Sequence, residues 1–157
     1  MRPAGDAPDC LPDTPEKEAT MKVSEVMHRG AVCLDDDTPL REVARAMREE
    51  DVGAIPISAA GELVGLVTDR DIACRAVADG GNIAGLTARD VMSKDPVCCD
   101  ADDDLEQAVQ LMENRRIRRL PVMDEGSLVG MLSLGDISGR AGDAVAAEVL
   151  RSVASHH

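Results

Sequence analysis

The chain has 157 residues, of which 44% are hydrophobic and 30% charged, and it contains no Phe, Tyr or Trp. Its core must therefore be built from aliphatic side chains, and a bound base could not stack on an aromatic ring. The formal net charge of −13 argues against nucleic acid as a partner, because binding to a phosphate backbone requires a basic surface.

The cysteines and the hydropathy pattern favour a cytoplasmic protein. The five cysteines are an odd number, Cys98 and Cys99 are adjacent, and no Cys-x-x-Cys pair occurs. This pattern favours reduced thiols over a disulfide framework or a zinc site. No apolar run approaches the roughly 18 residues of a membrane-spanning helix, and the N-terminal region lacks the apolar segment of a signal peptide. We therefore expect no metal site and no membrane contact.

Residues 1–20 are predicted to form a disordered tail. They contain four prolines, few large apolar side chains and no periodicity. Such a segment cannot bury enough apolar surface to offset the entropy of ordering its backbone.

From Val26 to Ile72 the chain repeats itself as Val91 to Ile137, at a constant offset of 65 residues and without a gap. The matches include the opening Val-Met pairs, one proline and the endings "LVG" and "DI". Self-similarity at a fixed period marks a duplicated structural unit. We therefore expect two similar units that fold in the same way.

Each copy begins with a short apolar segment, at residues 31–34 and 96–99, which is followed by an amphipathic helix. Four apolar residues of each helix recur at i, i+3, i+4 and i+7, which predicts one buried face. They are Leu40, Val43, Ala44 and Met47 in the first copy and Leu105, Ala108, Val109 and Met112 in the second. Pro39, with Thr38 as the cap, marks the start of the first helix, and Gly53 marks its end.

Two short strands around a glycine turn follow in each copy, and a second helix opens at Thr68 or Ser133. The predicted strands cover residues 54–57, 63–68, 119–123 and 128–132. The fold class is thus α+β, with two tandem β-α-β-β-α units. The predicted organisation is a tail at 1–20, a first unit at 21–78, a linker at 79–88, a second unit at 89–141, and a C-terminal helix and tail at 142–157, the helix spanning 143–154.

This order resembles the tandem CBS (cystathionine beta-synthase) domain pair, also called a Bateman module. The Val-Met openings, the Ile-Pro and Leu-Pro strands and the endings "GLVTDRDI" and "GMLSLGDI" carry the resemblance, which covers about residues 22–140. It is strongest to the stand-alone bacterial proteins that consist of one such pair. The resemblance implies a pseudo-twofold axis between the units, two clefts that bind adenine nucleotides or adenosyl compounds, and a homodimer.

The resemblance also assigns the two hydroxyl–carboxylate pairs that end the copies. Asp71 and Asp136 would bind ribose, since a carboxylate accepts hydrogen bonds from both hydroxyls of a diol, and Thr68 and Ser133 would reach phosphate. A second interpretation stays open, because a Thr-x-x-Asp between a strand and a helix is also typical of a capping box, which needs no ligand.

In the family, the strand before the proline forms the second wall of each cleft. This places Ala54, Ile55 and Pro56 in the first copy, and Arg119, Leu120 and Pro121 in the second, against a bound base. Backbone groups at Ala54 and Arg119 would read the edge of the base. For Ile55 and Leu120, packing in the core is the alternative role.

Four arginines crowd the sequence "NRRIRR" of this acidic chain, and such a cluster can bind a polyphosphate. Arg115 and Arg116 could equally serve as a solvated helix end that favours the helix dipole. Arg118 and Arg119 alternate along the next strand, so one of them should face a cleft. The first copy has Gly53 and Ala54 at these positions, and Arg70 matches Gly135, so the two clefts should differ.

Cys33 and Cys98 occupy equivalent positions, where the family carries a small residue near the cleft. A thiol there could sense redox state or take a metal, but a small apolar filler is the common role of a buried cysteine. Both residues are therefore included among the expected cleft residues.

The sequence shows no pairing of nucleophile and base, no metal cluster and no cofactor motif, so we expect neither enzymatic activity nor a required cofactor. The leading hypothesis is a regulatory module that binds AMP, ADP or ATP, with NADH or S-adenosylmethionine as further options, and that modulates an unidentified partner protein. The alternative is a ligand-free structural module that acts through its homodimer surface.

Overall fold

The computed structural model describes residues 20–80, 82–140, 147, 148, 150 and 151. The predicted tail, apart from Thr20, lies outside the described residues. Of the predicted C-terminal helix, the four described positions are helical, and the rest lies outside. No helix in the described part of the chain is long and apolar enough to span a bilayer.

Two runs of elements follow the same order along the chain. The first comprises α1 (Val23–Val26), β1 (His28–Arg29), β2 (Leu34–Asp35), α2 (Leu40–Glu49), β3 (Ala54–Ala59), β4 (Glu62–Thr68) and α3 (Asp69–Asp71), which continues as a π-helical segment, Ile72–Val77. After a 3-10 turn at Ile83–Gly85, the second comprises α4 (Ala88–Val91), β5 (Ser93–Lys94), β6 (Cys99–Asp100), α5 (Leu105–Arg115), β7 (Arg119–Asp124), β8 (Ser127–Ser133) and α6 (Leu134–Arg140).

Two four-stranded sheets form, in the orders β2-β3-β4-β5 and β1-β8-β7-β6. In each sheet a hairpin pairs with one short parallel strand, β2 with β3 and β6 with β7. The other edge strand is exchanged between the copies, because β1 pairs with β8 and β5 pairs with β4. Such a reciprocal exchange is what a twofold relation between the units produces.

The leading helices are exchanged in the same way. Val23 and Val26 of α1 are buried in the core beneath β7 and β8, whereas Ala88 and Val91 of α4 are buried in the core beneath β3 and β4. Two equivalent arginines donate hydrogen bonds to the exchanged helices. Arg75 Nη1 donates to the Val91 carbonyl at 2.7 Å, and Arg140 Nη1 donates to the Val26 carbonyl at 3.2 Å.

The prediction of an α+β fold with two alike units is confirmed, and the four long strands lie where the sequence placed them. Three details of the first helix are wrong. The helix ends at Glu49, with Glu50 as its C-cap, and therefore stops before Gly53. The helix begins at Leu40 with Pro39 as its N-cap, and no side chain caps it. Ala44 is exposed, although its equivalent Val109 is 8% exposed. The predicted domain boundaries stay predictions.

Candidate functional site

The hydroxyl–carboxylate pairs form complete capping boxes at both strand-to-helix junctions. Asp71 Oδ2 accepts from the Thr68 amide at 2.9 Å and from the Thr68 hydroxyl at 2.8 Å, and the hydroxyl accepts from the Asp71 amide at 3.2 Å. Ser133 and Asp136 make the same three bonds, at 2.9, 2.6 and 3.2 Å. Both copies therefore form the capping box that the second interpretation predicts. The Oδ1 atoms of Asp71 and Asp136 take no part in it.

Backbone pairing places each capping box beside the first residues of the neighbouring strand. Thr68 lies opposite Ala54 in the β3–β4 hairpin, and Ser133 lies opposite Arg119 in the β7–β8 hairpin. The next amides close the junctions, since Asp69 N donates to the Gly53 carbonyl and Leu134 N to the Arg118 carbonyl, each at 3.1 Å.

The remaining carboxylate oxygens of the two copies have different surroundings. Asp71 Oδ1 lies 3.5 Å from Arg75 Nη2. The equivalent Arg140 keeps the contact to the backbone of the exchanged helix, at the carbonyls of Val26 and Met27, but forms no ion pair with Asp136. Within the described residues, no hydrogen bond or ion pair reaches Asp136 Oδ1. The second carboxylate thus keeps an acceptor oxygen for a ligand, whereas the first is already partly neutralised.

A cleft of about 510 Å³ opens beside Asp136 and combines residues of both copies. Ser133 and Asp136 line one side, and the start of β3 (Ala54, Ile55 and Pro56) lines the other. The loop 30–32 between β1 and β2 also borders it. Because β1 is exchanged onto β8, this loop lies at the cleft of the second copy.

Arg118 and Arg119 both border the same cleft. The sequence predicted that one of the two would face a cleft, and both do. The Arg119 guanidinium lies against Gly53, and a Cβ atom at Gly53 would also lie only 2.9 Å from Asp69 Oδ2. Glycine at this position is what allows the arginine to cross from the second copy to the first. Glu50 and Asp51 also border the cleft and add negative charge to it.

Seven of the expected cleft residues do not line this cleft. Leu120 and Pro121 are buried in the strand, with Leu120 fully inaccessible, so Leu120 acts in the core. Arg70 and Cys33 are exposed, and the filler interpretation of Cys33 is therefore wrong. The others are Thr68, Asp71 and Cys98. Their assignment to a second cleft stays a prediction.

Cys98 is half-buried and its thiol donates to the Pro96 carbonyl at 3.2 Å. Burial, together with the negative charge of Asp100, raises the pKa of this thiol, so the structure favours a neutral thiol over a reactive thiolate. Among the described residues, no three His, Cys, Asp or Glu side chains are grouped so as to hold a metal ion.

Arg115 and Arg116 are exposed at the end of α5. Arg116 adopts the left-handed conformation with φ of 55°, and its amide donates to the Glu113 and Met112 carbonyls. These two arginines therefore terminate the helix, and neither borders the cleft at Asp136.

Sequence reasoning missed His28 and Met131, which also border the cleft. The two residues are register partners across the exchanged β1–β8 pair. No periodicity within the first copy indicates that its two-residue strand joins the sheet of the second, so only the duplication itself could have suggested the exchange.

The sequence model of the CBS domain family matches this chain twice, at residues 23–76 and at residues 88–141. The chain belongs to the CBS domain family. Each match includes one of the two capping boxes.

The chain is similar to CBS domain-containing protein YhcV of Bacillus subtilis, with 39% identity over 74% of this chain and 82% of the relative. It is also similar to hypoxic response protein 1 of Mycobacterium tuberculosis, with 30% identity over 83% of this chain and 92% of that protein. A crystal structure of hypoxic response protein I with two coordinated zinc ions superimposes with a TM-score of 0.69 at 31% identity, over 76% of this chain and 98% of that one.

The CBS domain pair of protein MJ0100, solved in complex with methylthioadenosine and S-adenosylmethionine, has a TM-score of 0.71 over 80% of this chain and 98% of that one. At 21% identity this likeness concerns the fold. Inosine-5'-monophosphate dehydrogenase of Methanocaldococcus jannaschii is 32% identical over 78% of this chain but is matched over only 24% of its own length. The match to this enzyme thus covers a part of it, whereas YhcV is matched over most of its length.

Proposed function

We propose that this CBS pair binds one adenine nucleotide or adenosyl compound in the cleft at Asp136, and that occupancy of the cleft regulates a partner protein. The single observation that carries the proposal is the acceptor oxygen Asp136 Oδ1 in a cleft of about 510 Å³. This volume lies within the range of roughly 300–1,000 Å³ that is usual for small-molecule sites.

Each part of the ligand has a chemical counterpart in the cleft. Asp136 Oδ1 accepts from the ribose hydroxyls, while Oδ2 keeps the capping box intact. Arg118 and Arg119 bind phosphate, since guanidinium groups form charge-assisted, bidentate bonds to it. The base packs against Ala54 and Pro56, where backbone groups read its edge and aliphatic contacts replace aromatic stacking.

The charges of the cleft rank the ligands. Arg118 and Arg119 favour AMP, ADP or ATP, whereas the carboxylates of Glu50 and Asp51 disfavour phosphate close to them. A ligand with charges of both signs, such as S-adenosylmethionine, can pair with both kinds of side chain. NADH is the bulkiest of the candidates and needs an open end of the cleft.

The cleft can couple ligand binding to regulation because it is lined by residues of both copies. Its walls belong to different copies, so a ligand that contacts both shifts the packing of one unit on the other, in proportion to its differential affinity for the two arrangements. The regulated partner and the homodimer are part of this proposal, as is the absence of enzymatic activity.

Isothermal titration of the protein with AMP, ADP, ATP, NADH and S-adenosylmethionine tests the proposal. We expect saturable binding at one site per chain. Asp136→Asn should weaken it at least about tenfold, because hydrogen bonds to a charged group contribute roughly 1.5–3 kcal/mol each. Asp71→Asn is the matched control, since it perturbs the equivalent capping box and should leave the affinity within about twofold.

A second function is favoured by the capping boxes themselves, which are complete without a ligand. In that case the chain is a ligand-free interaction module that acts through its dimer surface. The absence of binding to all five compounds, in a protein that remains folded and dimeric, would overturn the ligand proposal in favour of this one. Binding that depends on Asp71 instead would place the ligand at the first strand-to-helix junction and contradict the assignment to Asp136.

A further inference from the structure

The Arg119 side chain lies against the first copy, although its backbone belongs to the second. Arg119 is the register partner of Ser133 in the β7–β8 hairpin, whereas its guanidinium lies against Gly53, next to the start of β3. The residue is half-buried and borders the cleft at Asp136. Among the residues that the structure describes, no ion pair fixes this guanidinium. Since a long side chain loses rotamer freedom when it is held in one place, a weaker attraction must draw it across.

A carboxylate of the first copy lies beside the same glycine. A Cβ atom at Gly53 would stand 3.0 Å from Arg119 Cζ and 2.9 Å from Asp69 Oδ2, so the guanidinium and the carboxylate approach one point in space. Two contacts fix Asp69, since its amide donates to the Gly53 carbonyl at 3.1 Å and its Oδ1 accepts from the Arg70 amide at 2.8 Å. A fixed negative charge at this distance attracts the guanidinium.

The second copy has no carboxylate at the equivalent position. The equivalent of Asp69 is Leu134, whose side chain packs against the core beneath β7 and β8. The equivalent of Gly53 is an arginine, and the equivalent of Arg119 is an alanine. The carboxylate, the glycine and the arginine therefore occur together once, where the two copies meet.

We propose that Asp69 is a positioning residue that holds the Arg119 guanidinium at the edge of the cleft, where the guanidinium meets the phosphate of a bound nucleotide. Asp69 does not itself border the cleft, so the guanidinium separates the carboxylate from the ligand. A donor that is already in place binds at a smaller entropic cost. This inference rests on the proposed function and deepens it, because it names a residue of the first copy that determines the affinity for phosphate.

Positioning and competition predict opposite effects of Asp69. A carboxylate that holds the guanidinium in place increases the affinity for phosphate, whereas one that competes with phosphate for the guanidinium lowers it. Two observations favour positioning. The guanidinium already borders the cleft, and Asp69 and Arg119 are not among the ion pairs of the described residues. A phosphate therefore does not have to break a direct contact to reach Arg119.

Calorimetric titration of Asp69→Asn with ATP and with adenosine tests the proposal. The amide oxygen of asparagine still accepts from the Arg70 amide, but the charge is removed. We expect the affinity for ATP to fall about twofold to fivefold, as for the loss of an exposed charge pair, and the affinity for adenosine to stay unchanged. Asp69→Glu should keep most of the ATP affinity, because it restores the charge.

A double-mutant cycle shows whether Asp69 acts through Arg119. Arg119→Gln alone should weaken ATP binding, since it removes a charge-assisted contact to phosphate. In this background Asp69→Asn should cause no further loss, because the group that it positions is absent. Equal losses with and without the arginine would contradict the proposal.

Asp124→Asn is the matched control, because it removes one exposed carboxylate at the opposite end of β7. It should change neither affinity, and circular dichroism shows whether each variant is folded. An ATP affinity that is unchanged or raised in Asp69→Asn would overturn this inference and leave the proposed function intact. Equal losses for ATP and adenosine would overturn it too, since Asp69 would then support the fold of the junction. The absence of any binding to the native chain would overturn both proposals.

Discussion

The two copies agree where folding requires it and differ where a ligand or a partner would bind. Both have the capping box, the β-bulged hairpin and the exchanged leading helix. They differ at the start of the central strand, where Gly53 and Ala54 of the first copy are equivalent to Arg118 and Arg119 of the second. They also differ on the exposed faces of α2 and α5. The substitutions at these places change charge, whereas equivalent buried residues such as Ile57 and Val122 differ only in the size of an apolar side chain.

This comparison shows what the hydroxyl–carboxylate motif means. Because Thr68–Asp71 and Ser133–Asp136 make the same bonds, the motif itself reports a helix cap. What distinguishes the copies is the second carboxylate oxygen, which approaches Arg75 in the first copy and borders the open cleft in the second. The surroundings of the motif therefore carry the functional information.

The largest expected effect concerns the two cores. Leu40 and Leu105 are equivalent leucines that are 1% and 5% exposed. Leu40→Ala and Leu105→Ala should each lower the free energy of unfolding by about 2–5 kcal/mol, from lost burial and the cavity left behind. Because each core contains a helix from the other copy, we expect a single unfolding transition in both variants, measured by urea titration with circular dichroism.

Gln107→Ala, at an exposed position of α5, provides the control and should change the free energy of unfolding by less than about 0.5 kcal/mol. If either leucine variant unfolded in two separate steps, the two cores would be energetically independent, and the exchange of α1 and α4 would not couple them.

A smaller effect is expected where the copies differ most, at Gly53. A methyl group there would displace the Arg119 guanidinium from its place between the copies. Gly53→Ala should therefore weaken nucleotide binding by about threefold to tenfold, since one charge-assisted contact to phosphate is misplaced. Gly85→Ala is the matched control, because a Cβ atom there meets nothing within 4 Å. Equal affinities of the two variants in calorimetric titration would show that Arg119 does not contribute to nucleotide binding.

The sequence predicted the order of the long elements because the helical and strand periods repeat at the same offset in both copies. It also predicted that one of Arg118 and Arg119 would face a cleft, and both border the cleft at Asp136. These features are local, and a local pattern determines them.

The sequence did not predict which strands the short edge strands pair with. β1 and β5 have two residues each, too few for an alternation, and nothing in their side chains identifies the sheet they join. The cleft at Asp136 therefore contains Ala54 and the loop 30–32 from the first copy, whereas the sequence suggested that each strand faces its own motif. The exposure of Ala44 was not predicted either, because helical periodicity marks an apolar position but does not determine whether another element packs on it.

The last expected effect appears only at high pH and is confined to the second copy. Burial, together with the negative charge of Asp103, raises the pKa of the Cys99 thiol from 9.0 to about 12, while the equivalent Leu34 cannot ionise. The raised pKa means that the unfolded chain ionises first, so this contribution to stability is complete below about pH 9 and is lost as the pH rises toward 12. Cys99→Val should flatten the fall in the free energy of unfolding between these pH values, whereas Cys74→Val, at an exposed position, should not. Parallel curves for the native chain and Cys99→Val would mean that the thiol ionises at the same pH in the folded and the unfolded chain, and that water reaches it in the core beneath β7.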